Sequence, residues 1–411
     1  MRHDGNSIKA VSSIVAQGAL AGAALVQALA LLLAGSLTQY GTFAALQLVQ
    51  GLMLGVVSAL LLSPLLIQLA SQNAALLSAY ARLQLALSVI FALVQALLCV
   101  WLIRDGPALL AGGAIFFHSV RWYARGLAQL HGQLLHAVAS DACSAVVLLT
   151  GVAVLWWFDA VQLSTLLAVN LAAALLGCVA TGSYFWRTLW PVQAKPDWLR
   201  LRQGWRGQGR PALSGTLASE AAANAHSYFA ALLFGPLAFA PLAAAALLFR
   251  PVVVVQQSLQ QTERPAMRQA LLAQNDGLFQ QLQRRFFVFA LAALGANVLL
   301  AAWLMGLQPE WLWSDSSSIG QWQLAGVLMA VLCFFRVFRS GFTAQLQARD
   351  AFAFLARTAW QAAVWVIPLS VLVMMVFGVV WSLMVVVLAE CWLLVRLQQH
   401  CALLQRQVAH G

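Results

Sequence analysis

Apolar residues run through this chain in long blocks broken by short polar stretches. A helix that crosses a membrane needs about 20 mostly apolar residues. Twelve windows reach that length: 12–36, 43–71, 77–103, 107–128, 133–158, 161–186, 212–234, 237–259, 286–307, 318–340, 356–377 and 379–397. The seventh and eighth windows meet at Gly235-Pro236, and the last two turn at Gly378. This pattern predicts an all-α polytopic membrane protein of about 12 transmembrane helices. The first apolar block, from about Ile14 to Ala34 after Arg2 and Lys9, is longer than the apolar core of a signal peptide. It is expected to be the first spanning helix, retained in the mature chain.

Composition supports lipid as the main solvent. The chain of 411 residues is 62% hydrophobic and 9% charged, where a soluble domain carries about 25% charged residues. The net charge of +11 does not point to nucleic acid, because the basic residues are spread over short loops between apolar runs. It fits membrane lipids, above all an anionic inner leaflet. With the N-terminus inside, all but Arg104 of the 23 Lys and Arg fall on the cytoplasmic side. A miscount by one helix would scramble this bias, so both termini are expected in the cytoplasm. Trp156, Trp157, Trp303, Trp311, Trp313 and Trp381 fall near outer helix ends, and Trp186 and Trp190 near an inner one, as headgroup-level anchors should.

The outer connections are short. The longest, near 308–317, holds Pro309, Glu310, Trp311 and Asp315. Two inner segments, 187–211 and 260–285, mix Arg with Trp, Leu and Phe and are expected to lie along the inner leaflet as amphipathic links. The first divides the chain into an N-lobe (1–186, six spans), a basic cytoplasmic linker (187–211) and a C-lobe (212–411, six spans). A weak repeat agrees: LLAGSLTQYGTFAA at 32–45 matches LLFGPLAFAPLAAA at 232–245 in six positions. Six spans per half give both halves one orientation, an arrangement found in alternating-access transporters. The six cysteines include no C-x-x-C pair and read as small buried residues.

At these residues the chain resembles the Wzx-type polysaccharide flippases of the multidrug/oligosaccharidyl-lipid/polysaccharide (MOP) exporter superfamily. The stretch Gly35-Ser36-Leu37-Thr38-Gln39-Tyr40-Gly41-Thr42-Phe43 is similar to the family's glycine, polar turn and Tyr-Gly-x-Phe. Ser63-Pro64, the region from Phe117 through Arg121 and Arg125 to Gly132, Gly235-Pro236 and Pro265 follow the same theme. Related sequences often carry an acid in the seventh helix where this chain has His226. The resemblance implies a MATE/MOP-like bundle, two six-helix lobes around a central cavity. It implies a substrate of oligosaccharide on polyprenyl pyrophosphate, moved from the inner to the outer leaflet of a bacterial inner membrane for O-antigen or exopolysaccharide synthesis. The polysaccharide polymerase and chain-length machinery would then be candidate partners.

Such a transporter needs no bond chemistry. It must offer polar groups to a sugar and a pyrophosphate, which do not cross hydrocarbon unaided. His118, Arg121 and Arg125 fall at i, i+3 and i+7 on one face of the fourth helix. Arg250 and Arg336 reach similar depth from the eighth and tenth. These residues are the candidate substrate ligands, since guanidinium pairs with phosphate at two points; the alternative is snorkelling to inner headgroups. Acids are scarce in the spans. Asp141, Glu220 and Glu390, with His226, are the candidate ion-coupling groups; the alternative is hydrogen-bonded pairing between helices, with an arginine as partner. Glu220, Asn224 and Ser227 share a helix face, while His226 is offset by about 120°. His131 and His136 suggest solvated surface rather than a metal site, and Pro241, Pro251 and Pro368 mark kinks.

Neither metal nor cofactor is expected. The sequence holds no phosphate-binding Gly-x4-Gly-Lys loop, no G-x-S-x-G and no metal-ligand box, so a transporter is expected and not an enzyme. Two alternatives remain. A drug or cation antiporter of the same superfamily should have an acid-rich N-lobe, whereas Asp141 is its lone membrane acid beside Arg121 and Arg125. A membrane polymerase or glycosyltransferase would need a sizeable loop for catalytic residues.

Overall fold

The computed structural model describes residues 2–67, 74–104, 106–190, 194–306 and 319–410. They form sixteen helices, in order α1 (Arg2–Ala34), α2 (Leu37–Val57), α3 (Ser63–Ile67), α4 (Ala74–Leu102), α5 (Ala108–Leu130), α6 (Leu134–Trp157), α7 (Leu163–Ala180), α8 (Ser183–Leu189), α9 (Trp198–Gly204), α10 (Arg210–Leu233), α11 (Gly235–Leu248), α12 (Arg250–Leu272), α13 (Asp276–Gly306), α14 (Ile319–Ala348), α15 (Phe352–Phe377) and α16 (Ser382–His410). Packing divides the chain into two units, Met1–Leu217 and Ala218–Gly411. The expected loop at 308–317, with Trp311 and Trp313, lies outside the described residues.

Among the described residues, nine helices are long and apolar enough to cross a membrane. α11 and the start of α12, bent by 52° to each other, make a tenth crossing if they act as one broken span. The predicted spans 107–128 and 212–234 correspond to α5 and α10, which fall short of that test. They carry His118, Arg121 and Arg125, and Glu220, Asn224 and His226. A helix can hold such groups in a membrane where protein surrounds it. In the first unit, α2, α4, α6, α7 and α8 pack against α5.

Proline shapes the breaks. Pro64 has no N–H to give to the carbonyl four residues back. The helix widens just before it into a π turn over Ser58–Leu62, where the Ser63 N–H reaches the Ser58 carbonyl. Pro211 follows an identical turn at Trp205–Gly209, where the Arg210 N–H reaches Trp205. Pro251 sits at the bend that separates α11 from α12, whereas Pro241 and Pro368 lie inside continuous helices. The two repeat segments fall at helix junctions, one between α1 and α2 and the other between α10 and α11. Ser36 caps α2 by accepting the Gln39 N–H at 3.2 Å. Gly235 opens α11 with φ +84°, a backbone state that favours glycine.

The segment 260–285 departs from expectation. It is not a separate link: α12 runs on to Leu272, turns at Ala273–Asn275 and enters α13 at Asp276. Gln, Glu and Arg are poor lipid-phase residues but good helix formers, so the helix outlasts its apolar stretch. Buried Glu263 closes this hairpin by accepting from Arg285 at 2.6 and 2.9 Å. In the segment 187–211, Asp197 caps α9 through the Arg200 N–H at 3.0 Å. The Asp197 N–H donates to the Ala75 carbonyl at 3.1 Å, and the Ser78 hydroxyl to Ala194 at 3.3 Å. These bonds fasten the segment to the start of α4, with Trp190, Trp198 and Leu199 exposed.

Candidate functional site: two arginine–carboxylate clamps

The first unit holds a three-membered ion cluster. Residues four apart on a helix stack on one face, so α5 presents Arg121 and Arg125 together toward α6. Asp141 on α6 receives both: Arg121 Nη1 donates to Oδ1 at 3.2 Å and Arg125 Nε to Oδ2 at 2.8 Å. The three residues are only 1%, 6% and 2% exposed. Two guanidiniums against one carboxylate leave a net positive charge in a low-dielectric interior.

Neighbouring elements fit this cluster. Gly177 on α7 leaves room for it: a Cβ there would lie 2.1 Å from Ser144 Oγ and 2.7 Å from Arg121 Cδ. The Ser144 hydroxyl also ties α6 to the Ala173 carbonyl of α7 at 3.0 Å. On the other side, the Arg125 guanidinium stands 5.3 Å from the Trp122 ring centre. The Trp122 indole N–H donates to Ser58 Oγ at 2.8 Å, which links the cluster to the π turn before Pro64. His118, half-buried, lies on the same face one turn earlier, within electrostatic reach of both arginines. Gly177→Ala should disrupt this packing more than a solvent-facing Gly→Ala. Overpacking of a close-packed site costs about 1–3 kcal/mol, and the check is thermal melting of the purified variant.

The second unit builds the same device from different helices. Arg336 and Arg339 lie one turn apart on α14, and Glu390 on α16 sits between them. Arg336 Nε donates to Oε1 at 3.1 Å, and Arg339 Nε approaches Oε2 to 2.5 Å. Arg336 also donates to the Ala223 carbonyl of α10 at 3.1 Å. Glu390 is 2% exposed. The fourth predicted span of each half therefore supplies two arginines to one buried acid, taken from the fifth span in one unit and the twelfth in the other.

The remaining candidates separate into three places. Glu220 on α10, half-buried, accepts the Asn224 amide at 2.9 Å and the Tyr228 hydroxyl at 2.6 Å. Tyr228 extends the expected polar stripe. Ser227 instead pairs with its neighbour, buried His226, at 3.1 Å. Arg250 is half-buried and opens α12 at the bend. His131, tilted, and His136, edge-on, lie against Tyr184 with ring centres at 5.7 and 5.6 Å. Among the described residues, no group of three metal-ligating side chains converges.

Sequence reasoning missed Arg339, Gly177, Tyr228 and the Glu263–Arg285 pair as features of interest. Arg339 was legible, since Arg336 and Arg339 share the one-turn spacing already noted at Arg121 and Arg125. The predicted span closed at 340, which placed Arg339 at a boundary.

No family profile and no curated protein matches this sequence. Solved structures do match. A variant of the MATE transporter VcmN from Vibrio cholerae superposes with a TM-score of 0.58 at 16% identity, over 95% of both chains. The lipid II flippase MurJ, in an inward closed conformation, gives 0.67 at 8% identity, over 96% of this chain and 87% of that one. A MOP superfamily transporter from Pyrococcus furiosus gives 0.56 at 13% identity, over 96% and 95%. The protein is thus a multi-pass helical membrane protein whose fold is similar to that of these MATE and lipid II flippase structures.

Proposed function

We propose that the protein flips an oligosaccharide carried on polyprenyl pyrophosphate from the cytoplasmic to the outer leaflet of a bacterial inner membrane, by alternating access. The observation that carries this reading is the sign of the buried charge. The first unit keeps Arg121 and Arg125 against Asp141 alone, a positive excess suited to an anionic cargo. The fold is also similar to that of the lipid II flippase MurJ. Arg125 is the better placed of the pair to exchange part of its carboxylate contact for a phosphate oxygen, because it is 6% exposed where Arg121 is 1%. His118 and Arg250 would assist from neighbouring positions. Arg336 faces Glu390 in the second unit in the same manner.

The MATE neighbours keep a second reading open, a drug or cation antiporter. It is favoured by Glu220, an acid held by Asn224 and Tyr228 on α10, the helix at the seventh predicted span. In the flippase reading the same group carries the coupling ion.

Loss of the gene should leave lipid-linked units on the cytoplasmic face. Units found flipped but unpolymerised would exclude the flippase, and an unchanged pool with altered drug sensitivity would favour the antiporter. Glu220→Gln should abolish any dependence of transport on a pH gradient while leaving substrate binding intact. Persistence of that dependence would remove Glu220 from the coupling path.

A further inference from the structure

The second unit forms a partly open pocket of about 90 Å³ beside its ion cluster, between α10, α14, α15 and α16. Its polar lining comes from Ser219, Arg339, Thr343, Gln347, Thr358 and Glu390. A molecule of liquid water occupies about 30 Å³, so the space suits one small ion with one or two waters.

The lining is rich in donors. Arg339 Nε stands 2.5 Å from Glu390 Oε2, and its guanidinium carries four further N–H donors. Gln347 accepts from Arg264 with its Oε1 at 3.1 Å, so its amide N–H groups remain to donate. Ser219 and Thr343 add hydroxyls. The acceptors are fewer: Thr358 already donates its proton to the Phe354 carbonyl at 2.8 Å, and Glu390 already faces two guanidiniums. A cation placed here would compete for Glu390 with two tethered positive charges. An anion would meet donors on several sides and offset the charge that Arg336 and Arg339 hold in excess of Glu390.

We infer that this cavity binds a small monovalent inorganic anion of chloride size. Its ligands are Arg339, Gln347, Ser219 and Thr343, and its effect is to neutralise the second unit's ion cluster. The inference does not rest on what the protein transports.

The test uses the full-length protein in nanodiscs of zwitterionic lipid, which supply no anionic headgroup. Thermal melting is followed against sodium chloride, sodium bromide, potassium chloride and sodium gluconate. The expected result is a saturable rise in melting temperature that follows chloride or bromide, is indifferent to sodium or potassium, and is absent with gluconate. The double variant Ser219→Ala/Thr343→Val keeps the Arg339–Glu390 pair but removes two hydroxyl donors. Loss of a hydrogen bond to a charged group should weaken apparent chloride affinity by at least about tenfold. A stabilisation that follows sodium regardless of the anion would overturn the inference. So would a salt effect equal in wild type and double variant, or no effect at all.

Discussion

Asp141→Asn should destabilise the first unit more than any other single polar change there. It leaves Arg121 and Arg125 facing each other in a site that is almost closed to water. Stranding a buried charge by removing its partner costs about 3–5 kcal/mol, and here two are stranded. The measurement is thermal unfolding in detergent, with Arg125→Met as the companion. That variant leaves Arg121 and Asp141 as a one-to-one pair and keeps a long apolar stem in place, so its loss should be clearly smaller. Equal losses from the two variants would show that charge balance does not govern this cluster. Trp122→Phe removes only the indole bond to Ser58, and a net loss of about 1 kcal/mol is expected on the same assay.

The second large effect concerns transport. Arg125→Ala should reduce export of the lipid-linked sugar by at least about tenfold, the cost of one lost charge-assisted contact to phosphate. Membrane insertion and abundance should stay near wild type, because the neutral pair Arg121–Asp141 survives. Lysine at the same position should recover export only in part. It carries the charge but not the flat two-point fork that carboxylate and phosphate match, and it cannot reproduce the placement beside Trp122. Export at wild-type level in the alanine variant would confine Arg125 to a structural role.

Much of the fold was legible because lipid leaves a coarse mark on sequence. Long apolar runs gave the crossings, and Gly235-Pro236 and Gly378 gave two of the turns. Where polar side chains enter a helix, the mark fades. At 256–272, glutamines and arginines end the apolar signal but not the helix, so α12 was cut short and the Glu263–Arg285 hairpin was hidden. The bend at Phe249 follows from Pro251, yet sequence does not distinguish it from Pro241, which α11 absorbs without breaking.

The site was legible by residue and not by pairing. Arg121, Arg125, Asp141, Arg336 and Glu390 stood out because ionisable groups are costly in lipid. Which acid meets which arginine depends on how helices pack across long sequence separations, such as Arg336 with Glu390. Gly177 gave no signal either. Its role is the space it leaves for Arg121, and that follows only from the approach of α7 to α5 and α6. Ser227 and Tyr228 show the same limit at short range, since reach as well as face decides which side chain meets Glu220.

The proposed link between the charge excess in the first unit and passage of an anionic, lipid-borne sugar is tested directly by reconstitution. Purified protein in vesicles, loaded on one leaflet with a fluorescent polyprenyl-pyrophosphate oligosaccharide, should move the label to the opposite leaflet. Protein carrying Arg125→Ala should leave it near the rate of empty vesicles, and organic cations should not compete. Label that stays in place with wild-type protein while organic cations cross instead would contradict the proposal and identify an antiporter.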